Sequence, residues 1–365
     1  DRDNQTPVAA YQRVRGDTVD QGVFADARLN RPYSRTSQKI SLDANYRFNR
    51  DWRLRAVLSQ ETLERDYSEV AESDEQGLRL GLSSTRFDAL ALSLDYRYLR
   101  RQVDAYVGNR PLMATHRPGT IAEDDFENHP LLRKYYLAER TRQQWQARAD
   151  WYLNPRVSLG LAAAHNEDDY PGGYFGLERS DMTSVTMDLT YHPSDRLGLS
   201  AYIGRDNYLA DQRGRSFRGS VPADAENPMR DWQVAARDQY TSAGVNLDWS
   251  EVILPIGQWQ PHLDLTLNIS RSQSDGRYET EVGPALVAAP LPPVTSKFDR
   301  VEASARYALN DRSWVSLALE WEYYRSHDFA WEGVVPDTLG SVLLPGQDGS
   351  GYHQTWVHLG YRYRF

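Results

Sequence analysis

Val315-Ser316-Leu317-Ala318-Leu319-Glu320-Trp321-Glu322-Tyr323 alternates large apolar residues with small or charged ones. An α-helix would scatter Val315, Leu317, Leu319, Trp321 and Tyr323 around its circumference. A β-strand sets them all on one face. The period of two therefore predicts a strand with one apolar and one polar side.

The same pattern recurs along the chain. Ile40, Leu42, Ala44, Tyr46 and Phe48 interleave with Ser41, Asp43, Asn45 and Arg47. Leu90 to Tyr98, Val185 to Tyr191 and Leu263 to Ile269 repeat it. About thirteen strands follow, near 36–48, 52–66, 75–85, 88–102, 139–153, 156–167, 178–192, 196–209, 238–250, 258–273, 297–309, 313–327 and 352–365. Several exceed the ~5–6 residues of soluble strands and match the ~9–11 that cross a bilayer at a tilt. The expected fold is all-β, a transmembrane antiparallel up-and-down β-barrel of the bacterial outer-membrane type.

Connections alternate in length. Asn49-Arg50-Asp51, Asn154-Pro155, Pro193-Ser194-Asp195, Pro255-Ile256-Gly257 and Asn310-Asp311-Arg312 read as short turns. Between them run long polar loops at 103–138, 210–236, 274–296 and 328–350. Outer-membrane barrels segregate connections this way, with short turns periplasmic and long loops extracellular. Bacterial barrels normally use an even strand number, so thirteen implies a further strand, part of it around Thr6–Val14. Residues 1–35 are expected to hold a partial strand and an extracellular loop, and 36–365 the barrel strands. The chain starts at Asp1 with neither methionine nor an apolar leader. A removed signal peptide or a truncated N-terminus is expected.

Composition agrees. Mean hydropathy is −0.69, and no stretch approaches the ~20 apolar residues of a spanning helix. A barrel strand is only half apolar, so its average resembles a soluble protein. The absence of cysteine excludes disulfides, thiolate metal sites, a thiol nucleophile and c-type haem attachment by this chain. A net charge of −9 argues against a nucleic-acid partner.

Tyr46, Phe48, Trp52, Trp151, Tyr191, Trp249, Trp259, Tyr307, Trp314, Tyr361 and Tyr363 fall near the short turns, and Tyr96, Tyr98, Trp321 and Tyr323 near the opposite rim. Half-polar rings favour the headgroup zone, although aromatics are also good strand formers. The chain ends Gly360-Tyr361-Arg362-Tyr363-Arg364-Phe365. Tyr361, Tyr363 and Phe365 resemble the C-terminal signal by which outer-membrane proteins engage the barrel-assembly machinery.

The polar positions would line the lumen. Candidate partner contacts there are Asp43, Arg47, Asp95, Arg97, Arg148, Asp150, Asp188, Asp248, Asp264, Arg306, Glu320 and Arg362; Arg55, Glu302, Glu322 and Arg364 share the pattern. Two readings stand side by side. These residues keep the interior wet and the register fixed, or they face a bound protein or passing solute.

No catalytic constellation is legible. There is no G-x-S-x-G, H-E-x-x-H, Walker loop or dinucleotide fingerprint. Gly172-Gly173 reads as a turn, and the histidines are scattered, His358 with Trp356 on the lumen side. The runs Glu123-Asp124-Asp125-Phe126-Glu127 and Glu167-Asp168-Asp169 could offer oxygen ligands to Ca²⁺ but lack EF-hand spacing. They read as solvated loop tips. The chain is expected not to be an enzyme and to carry no cofactor or metal.

Certain stretches resemble a known family. Arg31-Pro32-Tyr33-Ser34 precedes the strand Ile40–Phe48. Asn128-His129-Pro130-Leu131-Leu132-Arg133-Lys134-Tyr135-Tyr136-Leu137-Ala138-Glu139-Arg140-Thr141-Arg142 leads into the next. Asn166-Glu167-Asp168-Asp169-Tyr170 is followed by Gly176-Leu177 and Ser184–Leu189. Their order and spacing over 30–365 resemble the C-terminal part of the MtrB/PioB family of decahaem-associated outer-membrane proteins. His129 interrupts the family's run, and the cysteine pair some members carry near the N-terminus is absent. The resemblance implies a larger barrel of about 26 strands, wide enough for a folded protein. It implies a porin-like sheath that encloses and insulates a periplasmic multihaem c-type cytochrome, often with a second cytochrome docked outside, for electron transfer across the outer membrane. The haem would belong to that partner cytochrome. The alternative is a diffusive porin for small solutes.

Overall fold

In a computed structural model of the chain, the described residues are 2–3, 34–115, 119, 128–218, 222–253, 262–310, 312–330, 335 and 351–365. They form β1 (Arg2–Asp3), β2 (Ser34–Arg47), β3 (Trp52–Arg65), β4 (Glu72–Phe87), β5 (Leu90–Val103), α1 (Arg110–Thr115), β6 (Arg140–Asn154), β7 (Val157–Asp169) and β8 (Gly176–Ser194). There follow β9 (Leu197–Arg215), β10 (Asp231–Ile253), β11 (His262–Val282), β12 (Val294–Asn310), β13 (Ser313–His327) and β14 (Gly351–Tyr363). No helix among the described residues is long and apolar enough to cross a membrane.

All strands join one antiparallel sheet in chain order, β1 through β14. β1 contributes only two residues, so thirteen long strands carry the sheet, as the alternation predicts. The sheet is not closed. Among the described residues β14 pairs only with β13, and β2 meets β1 over two residues.

The expected strand at Thr6–Val14, the turn at 255–257, Trp259, the Arg31–Tyr33 part of the first motif and the acidic run at 123–127 lie outside the described residues. The sequence-based boundaries need correction at the long-loop end. β9 runs on to Arg215, β10 starts at Asp231 and β11 reaches Val282, although 210–236 and 274–296 read as loops. β10 has 23 residues, about 76 Å at ~3.3 Å per residue, roughly twice a crossing. Its upper half leaves the hydrocarbon zone: the face that carries Val245 turns to Arg237, Gln233 and Asp231, while Trp232, Val234 and Ala236 stand on the other, so the apolar stripe does not continue.

The short turns are built by local side-chain hooks. Asn49 Oδ1 accepts from Asp51 N at 2.8 Å and Trp52 N at 3.0 Å. Asn154 Oδ1 accepts from Arg156 N at 2.8 Å, and Asn310 Oδ1 from Arg312 N at 2.9 Å. An Asn side chain can replace a backbone acceptor two residues along, which fixes a tight reversal.

The most buried apolar side chains lie at the long-loop end. Val70 and Leu137 are 0% and 1% exposed, with Leu112, Ala138, Phe175 and Ala225 also buried. Each of the first two contributes about 1.5–3 kcal/mol. The run 128–142 organises this platform. Leu131 N–H donates to His129 Nδ1 at 3.1 Å, and His129 Nε2–H donates to Ala225 O at 2.7 Å. The Arg133 guanidinium lies between the rings of Tyr106 and Tyr174, at 4.4 and 4.0 Å. Lys134 Nζ meets buried Glu69 at 2.5 Å. The run 128–142 thus holds four loops together.

Candidate functional site: the polar face of the sheet

The registers divide the sheet into two faces. On one, Leu42 pairs with Leu58, Leu58 with Leu78 and Leu80 with Tyr96. The row continues through Leu94–Ala147, Leu161–Met187, Met187–Ile203, Val245–Ile269, Val301–Trp321 and Leu319–Val357. This band stays open to the surroundings: Ile40 is 76% and Leu359 72% exposed. A water-facing protein rarely shows so large a contiguous apolar surface. A 680 Å³ depression lined by Met187, Ala201, Ile203, Val245, Ile269 and Trp321 also belongs to this face, and suits acyl chains.

The opposite face carries the charge. Asp43 is bound by Arg55. Asp95 meets Arg79 at 2.8 Å. Arg148 reaches Asp150 at 2.6 Å and Asp188 at 3.9 Å. Asp264 meets Arg306 at 2.6 Å. Arg300 is a hub, with Glu320 at 2.6 Å, Glu302 at 2.9 Å and Glu322 at 3.3 Å. Asn246 Nδ2 donates to Asp248 at 2.5 Å. Nearer the loops, Arg140 meets Glu75 at 2.6 Å and Arg142 meets Asp168 at 2.5 Å. Arg79 and Arg300 join this face without being among the sequence candidates. The parity of Arg79 with Gly81, and of Arg300 with Glu302, is the signal that marks them.

The pairing is incomplete. Arg47 lies directly across from Arg53, and Arg79 from Arg97. Arg47, Arg53, Arg97 and Arg362 make no ion pair among the described residues. Like charges directly opposite destabilise a strand pair, so these positions are not explained by register alone. Trp356 and His358 face Glu320 and Ala318 on the polar side, as their parity predicts. Trp314 stands across from Arg362, also on the polar side.

Tyr361 pairs with Val315 on the apolar face, and Tyr363 with Ser313. Phe365 is fully exposed and meets Tyr363 edge-on at 5.1 Å.

One expectation needs revision. Glu167-Asp168-Asp169 is not a loop tip; it ends β7. Asp168 is buried on the polar face, bonded twice by Arg142. Beyond the strands, burial and then Glu69 push the Tyr106 phenol up to about 12. In the 216–230 loop, the Arg218 guanidinium 2.7 Å from Asp224 holds that carboxyl below its usual range. The polar face is thus suited to contacting water, ions or a polar protein through charge.

An antiparallel up-and-down sheet with a lipid-compatible face and a charged face defines an outer-membrane β-barrel protein of porin type. The matching family profile, described as outer membrane beta-barrel porin, MtrB/PioB, covers residues 1–365, and the chain belongs to that family. Outer membrane protein MtrB of Shewanella baltica (strain OS185) is 22% identical over 364 residues, covering 100% of this chain and 47% of that protein. The chain therefore spans about half the length of the curated relative it matches. Among solved structures, the siderophore receptor PiuA from Acinetobacter baumannii is similar at 11% identity and a TM-score of 0.45, over 92% of this chain and 53% of that one. The ferric-catecholate import receptor Fiu from E. coli K12 is similar at 11% identity and a TM-score of 0.42, over 84% and 63%. The protein resides in the outer membrane, with its apolar face toward lipid.

Proposed function

We propose that this chain forms part of a porin-like sheath that encloses and insulates a multihaem c-type cytochrome, so that electrons cross the outer membrane. The observation that carries this reading is the polar face with its unmatched arginines. Arg47 opposite Arg53, and Arg97 opposite Arg79, offer cationic points to an acidic protein surface in the lumen. The ion-paired remainder fixes the register, with Arg300 shared among Glu302, Glu320 and Glu322. The haem belongs to the partner, since the chain has no cysteine to attach one.

The edges of β2 and β14 extend this reading: among the described residues β14 pairs only with β13, and β2 meets only β3 and the two residues of β1. An open sheet edge is not tolerated in hydrocarbon, because each unmet backbone group costs several kcal/mol. We place further strands on both edges, in a barrel of about 26 strands. The long-loop end faces outward, and its buried platform supports a second cytochrome outside. Tyr361, Tyr363 and Phe365 engage the assembly machinery.

Two measurements on protein purified from outer membranes test the proposal. A haem Soret band that copurifies with the barrel, together with low conductance in planar bilayers, supports a filled sheath. A haem-free barrel that passes steady current would make it a diffusive porin.

A further inference from the structure

His165 and Glu167 on β7 and Asp181 on β8 bring one ligand atom each within 4.8 Å of one another. His165 pairs with Thr183, and Glu167 with Asp181. All belong to the face that carries Ala163 and Val185 one step below. The group therefore stands on the lipid side, just past the apolar band, toward the long loops. Trp145 pairs with His165 from β6. The interior ion pairs and the loop platform do not involve these residues.

We infer that His165, Glu167 and Asp181 form a binding site for one first-row divalent cation of the zinc type. One ring nitrogen with two carboxylates suits such an ion, whereas Ca²⁺ and Mg²⁺ prefer all-oxygen sites. His165 Nδ1 lies 3.0 Å from Thr183 Oγ1. With Nδ1–H donated to that hydroxyl, the ring is held and Nε2 keeps its lone pair outward, the arrangement that metal-ligating histidines use. Asp181 adds an independent sign: its Oδ1 is sealed from solvent and has no hydrogen-bond partner. A buried carboxylate oxygen left unmet is costly, and a cation would satisfy it.

Arg179 now bridges Glu167 at 2.9 Å and Asp181 at 2.8 Å. It does not exhaust the carboxylates. Asp169 and Asp211 are its direct cross-strand partners on the two sides. The guanidinium has both to move to when an ion takes Glu167 and Asp181. Bonds of about 2.0–2.1 Å put ligand atoms about 3.4 Å apart around a tetrahedral ion, a closure side-chain rotation can supply. Three protein ligands leave a fourth position open to water or to a phosphate of the neighbouring lipid headgroups. Bound there, the ion staples β7 to β8 below the 170–175 turn that Arg133 and Leu131 grip through Phe175 backbone bonds of 2.8 and 2.9 Å.

The test is Zn²⁺ binding by the detergent-purified protein, stripped with chelator and titrated at pH 7.5, with metal counted after desalting. One equivalent is expected. His165→Ala and Asp181→Asn should each weaken binding at least tenfold, and Thr183→Val by less. His353→Ala on β14 should change nothing. Ca²⁺ should not displace the Zn²⁺. Gel mobility of the folded barrel checks assembly; if His165→Ala does not assemble, His165→Gln and Glu167→Gln take its place. Equal Zn²⁺ affinity with and without the imidazole, or no Zn²⁺ uptake by the unaltered protein, overturns the inference. Displacement by Ca²⁺ overturns it too.

Discussion

Gly160 on β7 lies under Asp188 on β8, and a Cβ built on Gly160 would collide with the Asp188 carboxylate. The missing side chain gives Asp188 room to lean toward Arg148. Gly160→Ala should therefore displace the carboxylate and cost about 1–3 kcal/mol, the usual range for overpacking. Denaturant unfolding in lipid vesicles measures this. The double variant Gly160→Ala with Asp188→Gly should recover most of the loss, which a purely backbone effect would not.

Neighbouring residues on β13 test the two faces. Leu319 pairs with Val357 toward lipid, and Ala318 with His358 toward the lumen. Leu319→Arg should cost about 2–4 kcal/mol near the bilayer midplane. Ala318→Arg, beside Glu320 and near Glu302, should be tolerated. Fraction folded in vesicles distinguishes them, and equal penalties would contradict the face assignment.

The loop platform depends on Lys134 and Glu69, whose carboxylate is 4% exposed. Lys134→Met would remove one charged partner of that buried carboxylate and should loosen the platform locally. Glu69→Gln should cost less, because a neutral amide needs no counter-charge. Limited proteolysis within 104–139 reads the difference, since the strands below retain their own hydrogen bonds.

Acid should loosen the 216–230 loop. Arg218 lowers the folded pKa of Asp224 below its unfolded value. The unfolded loop then binds a proton first, so the stabilisation is present above the unfolded pKa and is lost as pH falls through the folded one. Amide exchange at 222–230 should accelerate below about pH 4. Asp224→Asn should abolish that dependence while leaving the exchange of β10 unchanged.

The sheath reading makes a charge prediction. Reversing Arg47 and Arg53 to glutamate should reduce copurified haem severalfold, and by less in high salt, where the charges are screened, while folded barrel yield stays constant. Arg362→Glu should act in the same direction. Unchanged haem content would remove these arginines from the partner surface.

Much of the fold is legible in the order of the residues. The parity of Leu42 and Asp43, or of Leu319 and Glu320, decides the two faces at once, because successive side chains on a strand point oppositely. Thirteen long strands follow from that parity and the turn residues. The strand tops at 210–215, 231–237 and 274–282 are not legible. There the stripe that meets lipid lower down turns charged, as in Asp275, Arg277, Glu279 and Glu281 above Ile269, so the apolar face that marks the strand ends. The acidic run at 167–169 reads as a tip for the same reason: three adjacent carboxylates hide that Asp168 points one way and Glu167 the other.

The sequence alone determined an outer-membrane sheet, its strand order and which side chains share a face, because a period of two and adjacent hairpins are local properties. Only the tertiary structure decided which charges meet. Arg300 can gather Glu302, Glu320 and Glu322, and Arg47 can be left opposite Arg53, only once registers between strands are set. The joining of loops 66–71, 128–139, 170–176 and 216–230 into one buried platform is likewise non-local. It depends on His129, Arg133 and Lys134 finding partners up to about a hundred residues away, which no spacing in the chain announces.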